Sequence, residues 1–514
     1  MGICGDTRDT NRINSKSQKF FSDLIHTQSI TGNNDSLSEK IQLKVFINQI
    51  NNKYKYYVKL YNIIGNQNYP LNEHSQCSSS GNLSANLDEP IFIKYFFEKE
   101  QPLLIEILKT ENSNTNKYEI KTTLGCIMGS RYNTFQKNIS PSEKEIIAIK
   151  GEKLKQSEDV LNIKFEANPN ECDNFKYSRN KIYYEIHSQK LLYRSESISD
   201  QGKFDSIKIP LSLFKNQKIR ILFYRNVNNL INEFNLDIYE LEKQKTFNLM
   251  MNSQSFKILS KCKITKNYTF IDYLKAGIQI GLAVAIDFTG SNGNPNDVSS
   301  LHYINENEPN QYERAIYTCG NMIAYYDYDQ LFPCFGFGAK INNNPVQLFN
   351  LNFQQDPNIN YIEGIINMYH NAIKVVQLWG PTNFAPIIKE MNKIIKEQKH
   401  KLKYHILLIL TDGIIDDLDD TIDELVEGSF LPLSVIIIGV GNADFSNMVY
   451  LDADDNPLVN SKGIKAVRDL VQFVPYLKFE SHPENLSMEV LAEIPRQIID
   501  YYEQNNLDPI NLTT

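Results

Sequence analysis

Residues 278–291 read IQIGLAVAIDFTGS: nine residues dominated by Ile, Leu, Val and Ala, then a carboxylate, then two hydroxyls at alternate positions. An apolar run with no polar alternation is the signature of a strand covered on both faces, which is the normal state of a strand in a parallel sheet. In an extended segment alternate side chains point the same way, so Asp287, Thr289 and Ser291 present three oxygens on one side of the strand's carboxyl end. Similar runs recur at LFPCFGFGAKI (331–341), YHILLIL (404–410) and LSVIIIGV (433–440). Between them YIEGIINMYHNAIKVVQL (361–378) and FAPIIKEMNKIIKEQ (384–398) carry apolar residues at three- and four-residue intervals, which is the helical period. Alternating strands and helices predict an α/β, doubly wound, Rossmann-like sheet with helices on both faces, covering 266–510.

In such sheets ligands bind beyond the carboxyl ends of the strands, at the switch point of strand order. A second run, LILTDG (408–413), ends in Asp412, and the loop GPTNF (380–384) carries Thr382 just ahead of a helix. Together Asp287, Thr289, Ser291, Thr382 and Asp412 form an all-oxygen set, and hard oxygen ligands favour Mg²⁺, Mn²⁺ or Ca²⁺ over zinc. Taken singly, each is more often a helix cap than a ligand, and Thr382 ahead of Pro386 is a fair N-cap. The case for a site is that three such pieces fall on one edge of one sheet.

Upstream the character changes. Residues 1–37 are rich in Asn, Ser and Thr and read as a flexible leader. Two blocks, 38–147 and 150–265, alternate short aromatic and β-branched segments with Asn-rich breaks: IQLKVFI, KYYVKLY, PIFIKYFF and LLIEIL, then VLNIKFEA, KIYYEI, SIKIPLSL and IRILFYR. Strands of about six residues at such intervals predict two all-β sandwiches.

Composition is that of a folded chain: 514 residues, 41% hydrophobic and 22% charged, with 29 Tyr and 27 Phe. A formal charge of −8 argues against a nucleic-acid binder held by phosphate contacts. Seven scattered cysteines without a CxxC pair fit a reducing compartment better than a disulfide framework. No apolar run approaches the roughly 20 residues that span a bilayer, and the first 20 residues hold no signal-peptide core. A cytoplasmic protein with no transmembrane segment is expected.

The blocks AIDFTGSNGNP, SSLHYI, LFPCFGFGAKI, QLWGPTNFAPII, TDG, LPLSVIIIGVGNADFSNMVYLDADD and VQFVPY, in that order over roughly 265–480, resemble the copine family. The resemblance implies two C2 domains followed by a copine-type von Willebrand factor A domain with a metal-ion-dependent adhesion site. That family's DxTxS signature falls on Asp287, Thr289 and Ser291, and its later Thr and Asp fall on Thr382 and Asp412. It implies a Mg²⁺ or Mn²⁺ ion touched most directly by Ser291, Thr289 and Thr382, with one or both acids acting through water. The remaining coordination position would take an acidic residue of a partner protein.

Calcium-binding C2 domains hold Ca²⁺ with about five Asp residues on two loops, and this chain departs from that pattern. Between Lys40 and Asn72 there is no Asp or Glu, and Lys109 stands where an Asp is expected, leaving Glu111. In the second block Arg179 replaces an acid, Asp173 survives, and FYRNVNN puts Arg225 and Val227 at ligand positions. Neutral and positive residues cannot offset a divalent charge, so Ca²⁺ binding at the C2 domains is not expected. Contact with anionic membranes would then need another device. Gly2 suits N-myristoylation, although Asp6 replaces the usual Ser or Thr, and Cys4 could be palmitoylated beside Arg8, Arg12, Lys16 and Lys19. This places the protein on the cytosolic face of membranes, the plasma membrane foremost.

Enzyme signatures are missing: there is no GxxxxGK[ST], GxSxG or HExxH, and no cysteine after Cys334 to build a zinc-binding RING. The reading is a non-enzymatic, membrane-peripheral signalling adaptor. Two rivals stand beside it: a Ca²⁺-dependent phospholipid-binding copine with non-standard C2 ligands, and a metal-dependent hydrolase using Asp287.

Overall fold

The computed structural model describes residues 38–512, except 52, 73–74, 80–83, 88, 90, 155–156, 168–181, 190, 196–201, 205, 215–217, 226–228, 252–253, 399–401, 453–456 and 483–484. Gly2, Cys4, Asp173, Arg179 and Val227 therefore lie outside the described residues. The chain forms two compact units, one made of residues up to Leu154 together with those from Phe270 onward, the other of Lys155–Thr269.

The first unit opens with a β-sandwich. β1 (Glu39–Asn48) buries Ile41, Leu43, Val45 and Ile47 on alternate positions, as a half-covered strand must. β2 (Lys55–Ile64) pairs antiparallel with β3 (Pro102–Glu111), which turns at Asn112 (φ 52°) into β4 (Asn114–Thr123). β5 (Ile146–Lys153) pairs with β1 along its whole length, from Asn48 opposite Ile146 to Ile41 opposite Lys153. The sandwich thus runs past residue 147, because β1 would otherwise lose its partner on that edge.

Among the described residues the second unit is a sandwich of two four-stranded antiparallel sheets. β6 (Asp159–Ala167) and β9 (Gln254–Lys266) form the heart of one, β7 (Ile182–His187) and β8 (Ile219–Arg225) that of the other. Their inward faces meet in an aromatic core in which the Phe165 ring lies 4.9 Å from Tyr184 and 5.5 Å from Phe247.

The α/β module completes the first unit. Its elements are β10 (Gln279–Asp287), α1 (Gln311–Ala324), β11 (Leu331–Ile341), β12 (Asn344–Asn350), α2 (Tyr361–Val375), α3 (Ala385–Glu397), β13 (Lys403–Thr411), α4 (Leu418–Gly428), β14 (Leu433–Gly439), β15 (Val471–Pro475) and α5 (Ile494–Gln504). The spatial order is β12-β11-β10-β13-β14-β15, parallel from β11 to β15, while β12 and the short strands Asn358–Asn360 and Gln377–Leu378 pair antiparallel with β11. Residues of β10, β13 and β14 such as Ala283, Leu407 and Val435 pack under α3 and α4 through Ile387, Met391 and Leu425, while α1 lies on β10 and beside α2. Both faces are covered, which is why the strands read as continuous apolar runs. From β10 the chain goes out to β11 and returns to β13 on the other side, so the switch point lies between β10 and β13.

Within this unit the first sandwich docks on the α/β module. The Phe97 ring lies 5.0 Å from both Phe270 and Tyr326, the Tyr95 and Tyr326 hydroxyls are 2.6 Å apart, and Lys153 pairs with Asp272 at 2.9 Å. Cys262, Cys319 and Cys334 are free and buried and Cys77 is buried, whereas Cys126 is disulfide-bonded, a departure from the expectation of free thiols.

Candidate metal centre

β10 and β13 run side by side to the switch point, which sets Asp287 at the end of one strand and Asp412 just beyond the end of the other. Asp287 is 0% exposed and both its oxygens are engaged. Oδ1 accepts from the Thr289 amide (2.8 Å) and hydroxyl (2.6 Å), and Oδ2 accepts from the Thr411 hydroxyl (2.5 Å). Asp412 Oδ1 accepts from the Ser291 hydroxyl (2.9 Å) and the Asn292 amide nitrogen (2.8 Å), with the Thr289 hydroxyl at 3.4 Å. The Thr289 and Ser291 hydroxyls are themselves 3.0 Å apart. A β-carbon built on Gly413 would stand 3.1 Å from Thr382 Oγ1 and 3.7 Å from Ser291 Oγ, so both hydroxyls border the space this glycine leaves. All five residues singled out from the sequence are thus neighbours, drawn from three loops.

Their electrostatics are unusual for a surface cleft. Burial raises the Asp287 carboxyl above its ordinary range, and burial together with the charge of Asp287 pushes Asp412 up to about 7. Among the described residues neither acid forms an ion pair with a lysine or arginine. Two buried carboxylates without a cationic side chain, ringed by neutral hydroxyls, make a place that a small divalent cation would neutralise.

Helix capping does not account for these residues. Thr382 does not cap α3, because the Asp417 carboxylate does so, accepting from the Phe384 and Ala385 amides at 2.9 Å each. Asp416 accepts from the Thr382 amide (2.8 Å) and its own amide donates back to the Thr382 carbonyl (2.9 Å). The loop is pinned by its backbone, and the Thr382 side chain is left for the site.

Residues 300–510 match the family model described as Copine. The C-terminal module is a copine domain. The two sandwiches ahead of it are consistent with the copine architecture. Solved structures with likeness to parts of the chain include the tandem C2 domains of Extended-Synaptotagmin 2, at 10% identity over 45% of this chain and 93% of that one, with a TM-score of 0.17. The manganese-loaded TRAP protein of Plasmodium vivax matches at 14% identity over 40% and 72%, TM-score 0.27. The SpRpn10 VWA domain matches at 12% identity over 38% and 87%, TM-score 0.25. These values mark partial overlaps with separate modules, and none bears on the chemistry of the copine domain.

Sequence reasoning missed the supports of this copine-domain cluster. Asn292 bridges it to α1, donating to Asp412 and accepting from the Tyr312 hydroxyl at 2.7 Å. His302 is fully buried; one ring nitrogen meets the Asp287 carbonyl and the other the Tyr369 hydroxyl, both at 2.8 Å, and burial lowers its pKa to about 3. It is a neutral brace rather than a ligand. Thr411 precedes Asp412 in the quoted TDG, yet only pairing of β10 with β13 reveals its bond to Asp287.

In the first sandwich Lys109 is a buried cation. Its ammonium is 2.8 Å from Glu143 and 2.9 Å from Glu145, and 4.3 Å from the Tyr54 ring centroid. Tyr56 donates to Glu145 and Tyr118 to Glu143, while Glu111 pairs with Lys53. The acids near this end of the sandwich are neutralised by lysines.

Proposed function

We propose that this chain is a membrane-peripheral, non-enzymatic adaptor whose copine domain captures protein partners through a divalent cation, Mg²⁺ or Mn²⁺, at the Asp287 cluster. The observation that carries the reading is the pair of buried acids at the switch point with no basic partner among the described residues, beside the Thr289 and Ser291 hydroxyls and a Thr382 relieved of capping by Asp417. Ser291, Thr289 and Thr382 would hold the ion, Asp412 and Asp287 would balance its charge, and a partner's carboxylate would complete its coordination. Burial argues against Asp287 as a hydrolytic nucleophile: it has no exposed surface and both oxygens already accept hydrogen bonds. The test is a pull-down with the full chain in Mg²⁺ against chelator. Proteins retained in Mg²⁺ should be released by chelator and lost with Asp412→Ala; retention indifferent to cation would sink the reading.

The sandwiches, in this reading, do not bind Ca²⁺ in the usual way. Lys109 supports it in the first, since its ammonium already neutralises Glu143 and Glu145. Among the described residues no helix is long and apolar enough to cross a membrane. Attachment to the cytosolic face, the plasma membrane foremost, would rest on acylation of Gly2 and Cys4. Pelleting of the full chain with anionic liposomes should be unchanged by Ca²⁺, and membrane fractionation should fall with Gly2→Ala.

A further inference from the structure

The rim of the cluster carries two apolar side chains that stay about half exposed among the described residues. Trp379, the only tryptophan in the chain, is 51% exposed, and Ile414 is 55% exposed. Both belong to the loops that build the site. The Trp379 carbonyl accepts from the Gly290 amide at 2.8 Å and its amide donates to the carbonyls of Phe288 (3.2 Å) and Gly338 (3.0 Å), which ties the loop before Thr382 to the loop carrying Thr289 and Ser291. Ile414 follows Gly413, whose missing side chain leaves room for the Thr382 and Ser291 hydroxyls. The Lys340 ammonium stands over the Trp379 ring, 2.9 Å from its centroid, adding positive charge to that flank. A half-exposed tryptophan is the kind of anchor that dominates protein interfaces.

We propose that Trp379 and Ile414 are the specificity-determining flanks of the cation site, and that the partner segment they fit is an acidic residue with an apolar neighbour. The inference rests on the cation-site reading. A carboxylate directed to the ion brings the adjacent residues of an extended segment over the rim, where an apolar side chain packs on Trp379 or Ile414. Lys340 and the cation both favour a segment of net negative charge and disfavour a basic one.

The test is selection of phage-displayed heptapeptides with a fixed central Asp on the full chain in Mg²⁺, with elution by chelator. Eluted sequences should be enriched in Leu, Ile, Met, Phe or Trp beside the Asp. A synthetic peptide from the leading clone should shift the Trp379 emission to the blue, and should bind Trp379→Ala or Ile414→Ser about tenfold more weakly, as expected for losing one apolar contact. Each variant is first checked for the wild-type rise in melting temperature with Mg²⁺, which separates damage to the site from loss of a flank. Eluted sequences without apolar preference, or variants that bind the peptide as the wild type does, overturn the proposal and leave the cation site standing. Absence of any Mg²⁺-induced rise in melting temperature in the wild type overturns both.

Discussion

At the scale of single residues, Asp287 is held rather than displayed. Both its oxygens accept hydrogen bonds, from Thr289 and from Thr411, which fixes the orientation of the carboxylate. Thr411→Val removes one of these bonds without changing shape, and should weaken Mg²⁺ binding by about 10- to 100-fold, the usual cost of losing a ligand's support, as read by calorimetric titration. Asp412 makes a pH prediction. Its carboxyl is raised from an ordinary 3.8 to about 7, so between these values the folded, metal-free chain holds a proton that the unfolded chain has released. Stability from this group is fully present below about pH 4 and is lost as pH rises through about 7. Melting temperature without metal should therefore decline across that window, and the increment given by Mg²⁺ should grow with pH over the same range. Melting curves from pH 5 to 8 check it; an increment independent of pH would contradict the assignment.

At the scale of elements, the loop before α3 and the loop before α4 are one device. Asp417 lies at the start of α4 and caps α3, while Asp416 clamps the Thr382 backbone. Asp417→Ala should cost about 1 kcal/mol of stability, the usual loss of a cap, and should also weaken Mg²⁺ binding because Thr382 sits on the loosened segment. Denaturant unfolding and calorimetry on the same sample would show whether both fall. Much of this level was legible beforehand: the apolar runs named four parallel strands, and the period in 361–378 and 384–398 named two helices to within a few residues. α1 and α4 were not, since QYERAIYTCGNMIA and LDDTIDELVEG both open on polar residues and the second holds few apolar ones. α1 is announced instead by its capping box, in which Asn310 and Glu313 each accept from the other's backbone amide.

At the scale of the whole molecule, the first sandwich and the copine domain share one compact unit, although sequence pattern set them apart with another sandwich between. Gly129 sits in that contact: an added β-carbon would lie 2.2 Å from the Tyr325 carbonyl oxygen. Gly129→Ala should lower stability by about 1–3 kcal/mol, as overpacking does, and should open the contact to limited proteolysis sooner than in the wild type. The cluster at 285–291 and the sandwich belong to one compact unit, so truncation at 266 would expose the apolar surface of Phe270 and Tyr326 that Phe97 covers.

Sequence alone determined the class of each module and pointed to the candidate oxygens, because both are written in local pattern: unbroken apolar runs for buried parallel strands, alternate oxygens at the end of one of them, and Thr382 and Asp412 at the ends of two other segments. Only the tertiary structure decided what those oxygens are free to do. Thr382 is released from capping by an aspartate 35 positions further on, Asp287 is locked by a threonine on the neighbouring strand, and Lys109 is neutralised by acids on another loop. Each of these depends on strand pairing or packing between distant segments, which no local spacing encodes.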